Sequence, residues 1–210
     1  FSLSVALVGV ALAGLGALTW QQVQVWRDSK TLWAHVIAID PRSGVAHNNL
    51  ASILEGEGRL HDAVGHYRQA ALSRPGESPF AINLALALIA QGRELAREGR
   101  LGDAVEPLRE ALRVRPDFAD AYVALGSVLI ARGHAEDGIA QYRRALQLYP
   151  MSAPVHYHLG LALAGQGRLH DAIKHYRAAL AARPDFVEAR SQLDVALERL
   201  GRVADAPPRP

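Results

Sequence analysis

Apolar residues recur along most of this chain at intervals of three and four, the spacing that gathers them on one face of an α-helix. From residue 44 onward the pattern comes in short blocks broken by Gly and Pro, and the blocks repeat with a period of 34 residues. The stretches HNNLASILEGEGRLHDAVGHYRQAALSRP from His47 and HYHLGLALAGQGRLHDAIKHYRAALAARP from His156 show it most clearly. Each has Leu then Gly or Ala early, Gly at the break, Ala, Tyr and Ala in the second half, and Pro at the end. Such a block predicts two antiparallel helices. Small residues allow the helices to cross, larger ones fill the gaps, and Pro ends the second helix.

Four units follow from this frame. Residues 44–77 carry His47, Leu50, Ala51, Leu54, Gly58, Ala63, Tyr67, Ala70 and Pro75 on the framework positions. Residues 78–118 carry Ala81, Leu84, Ala85 and Leu88, then Ala104, Leu108, Ala111 and Pro116, with seven extra residues between the halves. Seven residues are close to two helical turns, so a segment around residues 91–98 is expected to lengthen a helix into a protruding elbow without rotating its apolar face. Pro107 is expected to kink the second helix unless it lies in the first turn. Residues 119–152 carry Tyr122, Leu125, Gly126, Leu129, Gly133, Gly138, Tyr142, Ala145 and Pro150; residues 153–186 carry His156, Leu159, Gly160, Leu163, Gly167, Ala172, Tyr176, Ala179 and Pro184. Residues 187–200 read as a helix covering the last apolar face, and the proline-rich residues 201–210 as a disordered tail. Upstream, residues 21–43 form a linker and a half repeat marked by Ser29, Trp33, Val36 and Pro41.

The first twenty residues have a different pattern. Residues 1–20 contain no charge, and a helix of that length spans a hydrocarbon core of roughly 30 Å. Trp20 and Trp26 suit the interface, and Arg27, Asp28 and Lys30 mark the return to water. This predicts a transmembrane helix in contact with lipid, with Gly9, Gly14 and Gly16 as the small residues on which a neighbouring membrane helix packs. A cleaved signal peptide would need a basic start and a shorter apolar stretch, and a buried soluble helix would show an amphipathic stripe. The chain begins at Phe1, which suggests a longer parent protein. Arg27 and Lys30 weakly favour repeats on the cytoplasmic side.

Charge and composition narrow the function classes. Lys and Arg outnumber Asp and Glu by only 23 to 21 and are scattered, so no basic stripe calls for nucleic acid. With no cysteine, disulfides and thiol catalysis are excluded. Of nine histidines, six are repeat equivalents: His47 with His156, His61 with His170 and His66 with His175. Equivalents lie a repeat or more apart, too far to share a zinc ion. His156 and His158 are two apart on one helix and point in different directions. No phosphate loop, nucleophile elbow or carboxylate pair stands out, so no catalytic residue, metal or cofactor is expected.

The period and its framework residues resemble the tetratricopeptide repeat. The resemblance implies an all-α fold, a right-handed α-solenoid of antiparallel helix pairs preceded here by one transmembrane helix. It also implies a scaffold that binds a protein or an extended peptide on the face lined by the first helix of each pair. Carried onto this sequence, that face comprises Asn48, Asn49, Ser52, Ile82, Asn83, Leu86, Val123, Ser127, Tyr157, His158 and Leu161. Asn49 and Asn83 both precede the framework Leu and resemble two rungs of the asparagine ladder of O-GlcNAc transferase repeats. An amide there can pair with any peptide backbone, or can equally hydrogen-bond within the stack. Ala124 and His158 replace the next two rungs, and the basic clamp of chaperone-binding members has no counterpart. The junction WRDSKTLWAHVIAIDPRSGVAHNNLA is similar to that of transmembrane-and-tetratricopeptide-repeat O-mannosyltransferases. That likeness implies an acceptor-recognition domain outside the cytoplasm, with the catalytic part upstream. A structural subunit of a membrane complex is a further reading.

Overall fold

The computed structural model describes Leu15, Thr19, Trp20, residues 28–74 and residues 78–204. Among these it contains ten helices and no strand: α1 (Ser29–Ile39), α2 (Gly44–Gly56), α3 (Leu60–Ser73), α4 (Ser78–Arg97), α5 (Leu101–Val114), α6 (Ala119–Ala131), α7 (Ala135–Leu148), α8 (Ala153–Gly165), α9 (Leu169–Ala182) and α10 (Val187–Ala204). Among the described residues no helix is long and apolar enough to cross a membrane. The expected span, with Gly9, Gly14 and Gly16, lies outside the described residues except for Leu15, Thr19 and Trp20, whose backbone is helical.

The turn between the two helices of a repeat is the same four times. Gly58, Gly99, Gly133 and Gly167 each adopt a φ between 76° and 87°, a left-handed conformation that suits glycine. The following residue then donates its N–H to a carbonyl five positions back, as Arg59 does to Leu54 at 2.9 Å and Arg168 to Leu163 at 3.0 Å. Arg59, Arg100 and Arg168 also pair with the Asp three residues on, at 2.6, 2.9 and 3.2 Å, in exposed contacts worth little stability.

Backbone contacts divide the chain into two compact units, Phe1–Ala87 and Leu88–Pro210. In the first, Asp28 caps α1 by accepting from the Thr31 amide at 2.8 Å. Helices α1, α2 and α3 pack in sequence around Ala46, Leu50, Ala51, Leu54, Ala63, Val64 and Tyr67, all buried. Phe80, at the start of α4, closes on Gly44, where a Cβ atom would stand 3.0 Å from its ring. In the second unit a core built on Ile139, Tyr142, Leu159, Leu163, Ile173 and Tyr176 is continued by Ala196 of α10. Residues 201–204 belong to this last helix, four beyond the expected cap and inside the expected tail.

The extra seven residues lie elsewhere than the frame predicted. Helix α4 has 20 residues where α2, α6 and α8 have 13. Counted back from the glycine turn, the residue at the helix crossing is Gly92, not Ala85. A Cβ on Gly92 would lie 2.6 Å from Leu108, just as one on Gly126 would meet Tyr142 at 2.9 Å and one on Gly160 would meet Tyr176 at 2.6 Å. The added turns are therefore at the N-terminal end of α4, around residues 78–84, and residues 91–98 are the ordinary end of the first helix. Pro107 lies in the second turn of α5, which runs unbroken from Leu101 to Val114. It leaves the Asp103 carbonyl without its usual amide donor.

Two glycine substitutions test this packing in opposite directions. A Cβ at Gly138 would stand 2.7 Å from the Gly126 carbonyl oxygen, so Gly138→Ala is expected to cost about 2 kcal/mol by forcing two backbones apart. Nothing lies within 4 Å of a Cβ at Gly65, in the interior of α3, and Gly65→Ala is expected to stabilise by ~0.5–1 kcal/mol. Urea unfolding followed by circular dichroism measures both.

Candidate functional site

The helix crossings decide which side chains reach the first-helix face. In the repeat formed by α6 and α7, Gly126 leaves room for the Tyr142 ring to pass from α7 beneath α6. Its hydroxyl then meets Ser127 Oγ at 2.9 Å, and Ser127 Oγ lies 3.0 Å from the Val123 carbonyl. The carbonyl can only accept, so Ser127 donates to Val123 and Tyr142 donates to Ser127. From α8, His158 stacks over Tyr142 with ring centroids 6.0 Å apart. Burial lowers the His158 imidazole below its ordinary value, which keeps the ring neutral near pH 7, and raises the Tyr142 phenol.

These groups wall an open cavity of about 490 Å³, lined by Ser127, Ile130, Ala131, Ala135, Tyr142, His158, Leu161, Ala162, Gly165 and Gln166. Ile130, Ala162 and Leu161 make it mainly apolar; Ser127, Tyr142, His158 and Gln166 supply the polar atoms. Three expected site residues, Ser127, His158 and Leu161, meet here. Val123 and Tyr157 instead pack against the core. Tyr157 lies against Phe186, with centroids 5.0 Å apart, and beside Tyr176. Tyr142 was absent from the expected face because a framework Tyr reads as core, although Gly126 and Ser127 beside it are the signal that its hydroxyl emerges.

In the first unit the expected amide ladder has another register. Asn83 donates from Nδ2 to Oδ1 of Asn48 at 2.8 Å, joining α4 to α2. Asn83 thus pairs with Asn48 rather than standing as a free rung parallel to Asn49, which is half-buried. Ser52 and Leu86 are exposed. Tyr67 donates to Glu55 Oε2 at 2.9 Å. Burial first, then this bond, pushes its phenol up to about 12. Among the described residues no group of three or more His, Cys, Asp or Glu is placed to hold a metal ion.

Comparing the repeats exposes one hydroxyl without a protein partner. Ser52 faces Tyr67 and Ser127 faces Tyr142, but the residue at this position opposite Tyr176 is Leu161. Tyr176 Oη is buried and, among the described residues, has no hydrogen-bond partner. Burial, with a smaller effect of Tyr157, pushes that phenol up to about 12.

The architecture is an α-solenoid of helix pairs. Models described as tetratricopeptide repeat match residues 46–79, 89–153 and 153–186, together more than half of the chain. The chain belongs to the tetratricopeptide repeat family. No curated protein matches it by sequence. Among solved structures it is similar to the MamA protein, at 22% identity over 77% of this chain and 84% of that one, with a TM-score of 0.61. It is also similar to the first repeat domain of Spaghetti (RPAP3) bound to the HSP90 peptide SRMEEVD, at 19% identity over 56% and 93% of the two chains and a TM-score of 0.54. A third is YrrB, described as having an unusual peptide-binding site, at 15% identity over 76% and 96% and a TM-score of 0.51. At these identities the likeness shows the fold.

The two tyrosines are expected to respond differently to loss of the hydroxyl. Tyr142→Phe should cost about 1 kcal/mol, and Tyr176→Phe should be neutral or stabilise by up to about 1 kcal/mol. Comparing denaturation midpoints of the two variants checks this.

Proposed function

We propose that this chain is an interaction scaffold, one that binds an extended polypeptide segment along the first-helix face of its repeats and does no chemistry itself. The observation that carries the reading is the cavity between α6 and α8. Its apolar walls suit one side chain of the bound segment, while the His158 imidazole and the Tyr142 oxygen supply a donor and acceptors for the neighbouring peptide bond. The HSP90 peptide named for the similar RPAP3 structure and the peptide-binding site named for YrrB support the same class of partner. In the first unit, the Asn48–Asn83 pair retains unused amide capacity, since each side chain has more donors and acceptors than their one mutual bond consumes.

The scaffold is tethered to a membrane by residues 1–20, with the repeats on the extracytoplasmic side. The uncharged run supports the tether, and the Thr19 hydroxyl, donating to the Leu15 carbonyl at 2.8 Å, is already satisfied without water. Because the chain has no cysteine, a single introduced one reports sidedness by its labelling in sealed vesicles.

Panning a displayed library of random linear peptides against the full chain tests the binding reading. Enriched peptides should bind the parent and lose affinity by about tenfold or more on Leu161→Arg, which fills the cavity with charge. Peptides that bind parent and L161R equally, or a library that yields no enrichment, would overturn it.

A further inference from the structure

Two histidine pairs join the helices of the first and last repeats. His47 on α2 and His66 on α3 have their Nδ1 atoms 2.9 Å apart, and His156 on α8 and His175 on α9 have theirs 3.0 Å apart. In each pair the other nitrogen of the first ring lies on the carbonyl of the proline that closes the preceding repeat: His47 Nε2 is 3.1 Å from Pro41 O, and His156 Nε2 is 2.9 Å from Pro150 O. A carbonyl contributes no proton, so His47 and His156 carry theirs on Nε2. Their Nδ1 atoms are then bare, and His66 and His175 donate Nδ1–H across the gap. The geometry fixes the tautomer of all four rings.

This arrangement limits how many protons each pair can hold. One added proton goes to Nε2 of His66 or His175 and leaves the Nδ1–H to Nδ1 bond in place, now charge-assisted. A second has only the bare Nδ1 of the first ring, which would set N–H against N–H between two cations. We propose that the two pairs are acid-released latches, which stay closed with no proton or one proton added and open on the second, freeing α3 from α2 and α9 from α8.

Charged groups surround both latches. Around His66 stand Lys30 of α1 and Arg59, His61 and Asp62 at the start of α3. Burial and the His47 ring lower the His66 imidazole, while Asp62 opposes them. His175 is lowered by burial, by His156 and by Arg143 of α7; on its own helix Asp171 opposes this and Lys174 adds to it. Both imidazoles are thus held below their ordinary value, each chiefly by burial and by the ring it faces. The two repeats between have Leu88 with Pro107 and Tyr122 with Gln141 at these positions, so they carry no latch.

The sign follows from the direction of the shifts. Folded-state values below the ordinary imidazole value of about 6.5 mean that the folded chain binds fewer protons than the unfolded one. The stability is full above about pH 6.5 and is lost as pH falls below it.

Nitrogen-15 NMR of the histidines in the full chain at about pH 8 should show Nε2–H rings for His47 and His156 and the rarer Nδ1–H form for His66 and His175. On acidification His66 and His175 should both titrate below the ordinary imidazole value. Between about pH 7.5 and 5.5 the unfolding midpoint of the parent should fall by about 4 °C or more. That of His66→Gln with His175→Gln should fall by less than half as much, since Gln keeps the donor, as Gln141 occupies the same place, but does not titrate. His158 is present in both proteins and cancels in the difference. Equal falls in parent and variant, or Nε2–H rings at His66 and His175, would overturn the proposal; should the double variant fail to fold, the parent's tautomers decide it alone.

Discussion

The two helices of each repeat can pack closely only where the facing residues are nearly without side chains, and the rest of the structure depends on that contact. The equivalent small residues Ala51 and Ala63, Gly92 and Ala104, Gly126 and Gly138, and Gly160 and Ala172 are every one of them buried. At the third crossing a Cβ on either glycine would come within 3.0 Å of the other's carbonyl oxygen, so backbone packs on backbone. Such proximity gives many dispersion contacts with little side-chain entropy lost on folding. It also positions the aromatic ring of the second helix, because the space a missing Cβ leaves on the first helix is where Tyr142 or Tyr176 lies.

From that ring comes the coupling between framework and surface. A tyrosine that reaches through the crossing delivers a hydroxyl near the first-helix face, and the next residue on that helix decides its fate. Ser127 accepts it; Leu161 does not, and Tyr176 Oη stays buried with no hydrogen-bond partner among the described residues. At the second crossing the chain has Leu108 and there is no hydroxyl to satisfy. One position on the first helix is thus both a structural partner and a wall of the cavity, so a change there alters stability and the shape of the cavity together.

The helices and turns were legible because each depends on residue types with narrow conformational roles. The four turn glycines have positive φ and the small crossing residues have no substitute at those distances. The place of the extra seven residues was not legible. A shift by seven rotates a helix by only about 20°, so counting from either end of α4 gives an acceptable apolar face. Only the contact of Gly92 with Leu108 separates the two frames. The Asn48–Asn83 pair was hidden for the same reason, since pairing Asn49 with Asn83 presumed a count from the helix start. The histidine pairs were missed differently. A 34-residue period directs attention to equivalents in separate repeats, whereas the contacts join residues 19 apart within one repeat.

The tetratricopeptide repeat pattern opens with a Trp three residues before its first Leu, and His47 and His156 stand at that place, an exchange of one fastening for another. A large indole would hold the two helices and the preceding repeat by burying apolar area, a contact that changes little with pH. An imidazole is smaller and buries less, but its two nitrogens reach the partner helix and the preceding proline carbonyl at once. The same two joints are then held by directional bonds whose strength depends on proton count. Repeats of one family can in this way keep identical backbone geometry while differing in the conditions under which they hold. Here the two repeats fastened through histidine are the first and last, and the repeat that carries Gln141 keeps a neutral amide at the same place. The scaffold's response to acid is therefore set by side chains that its repeat framework leaves open.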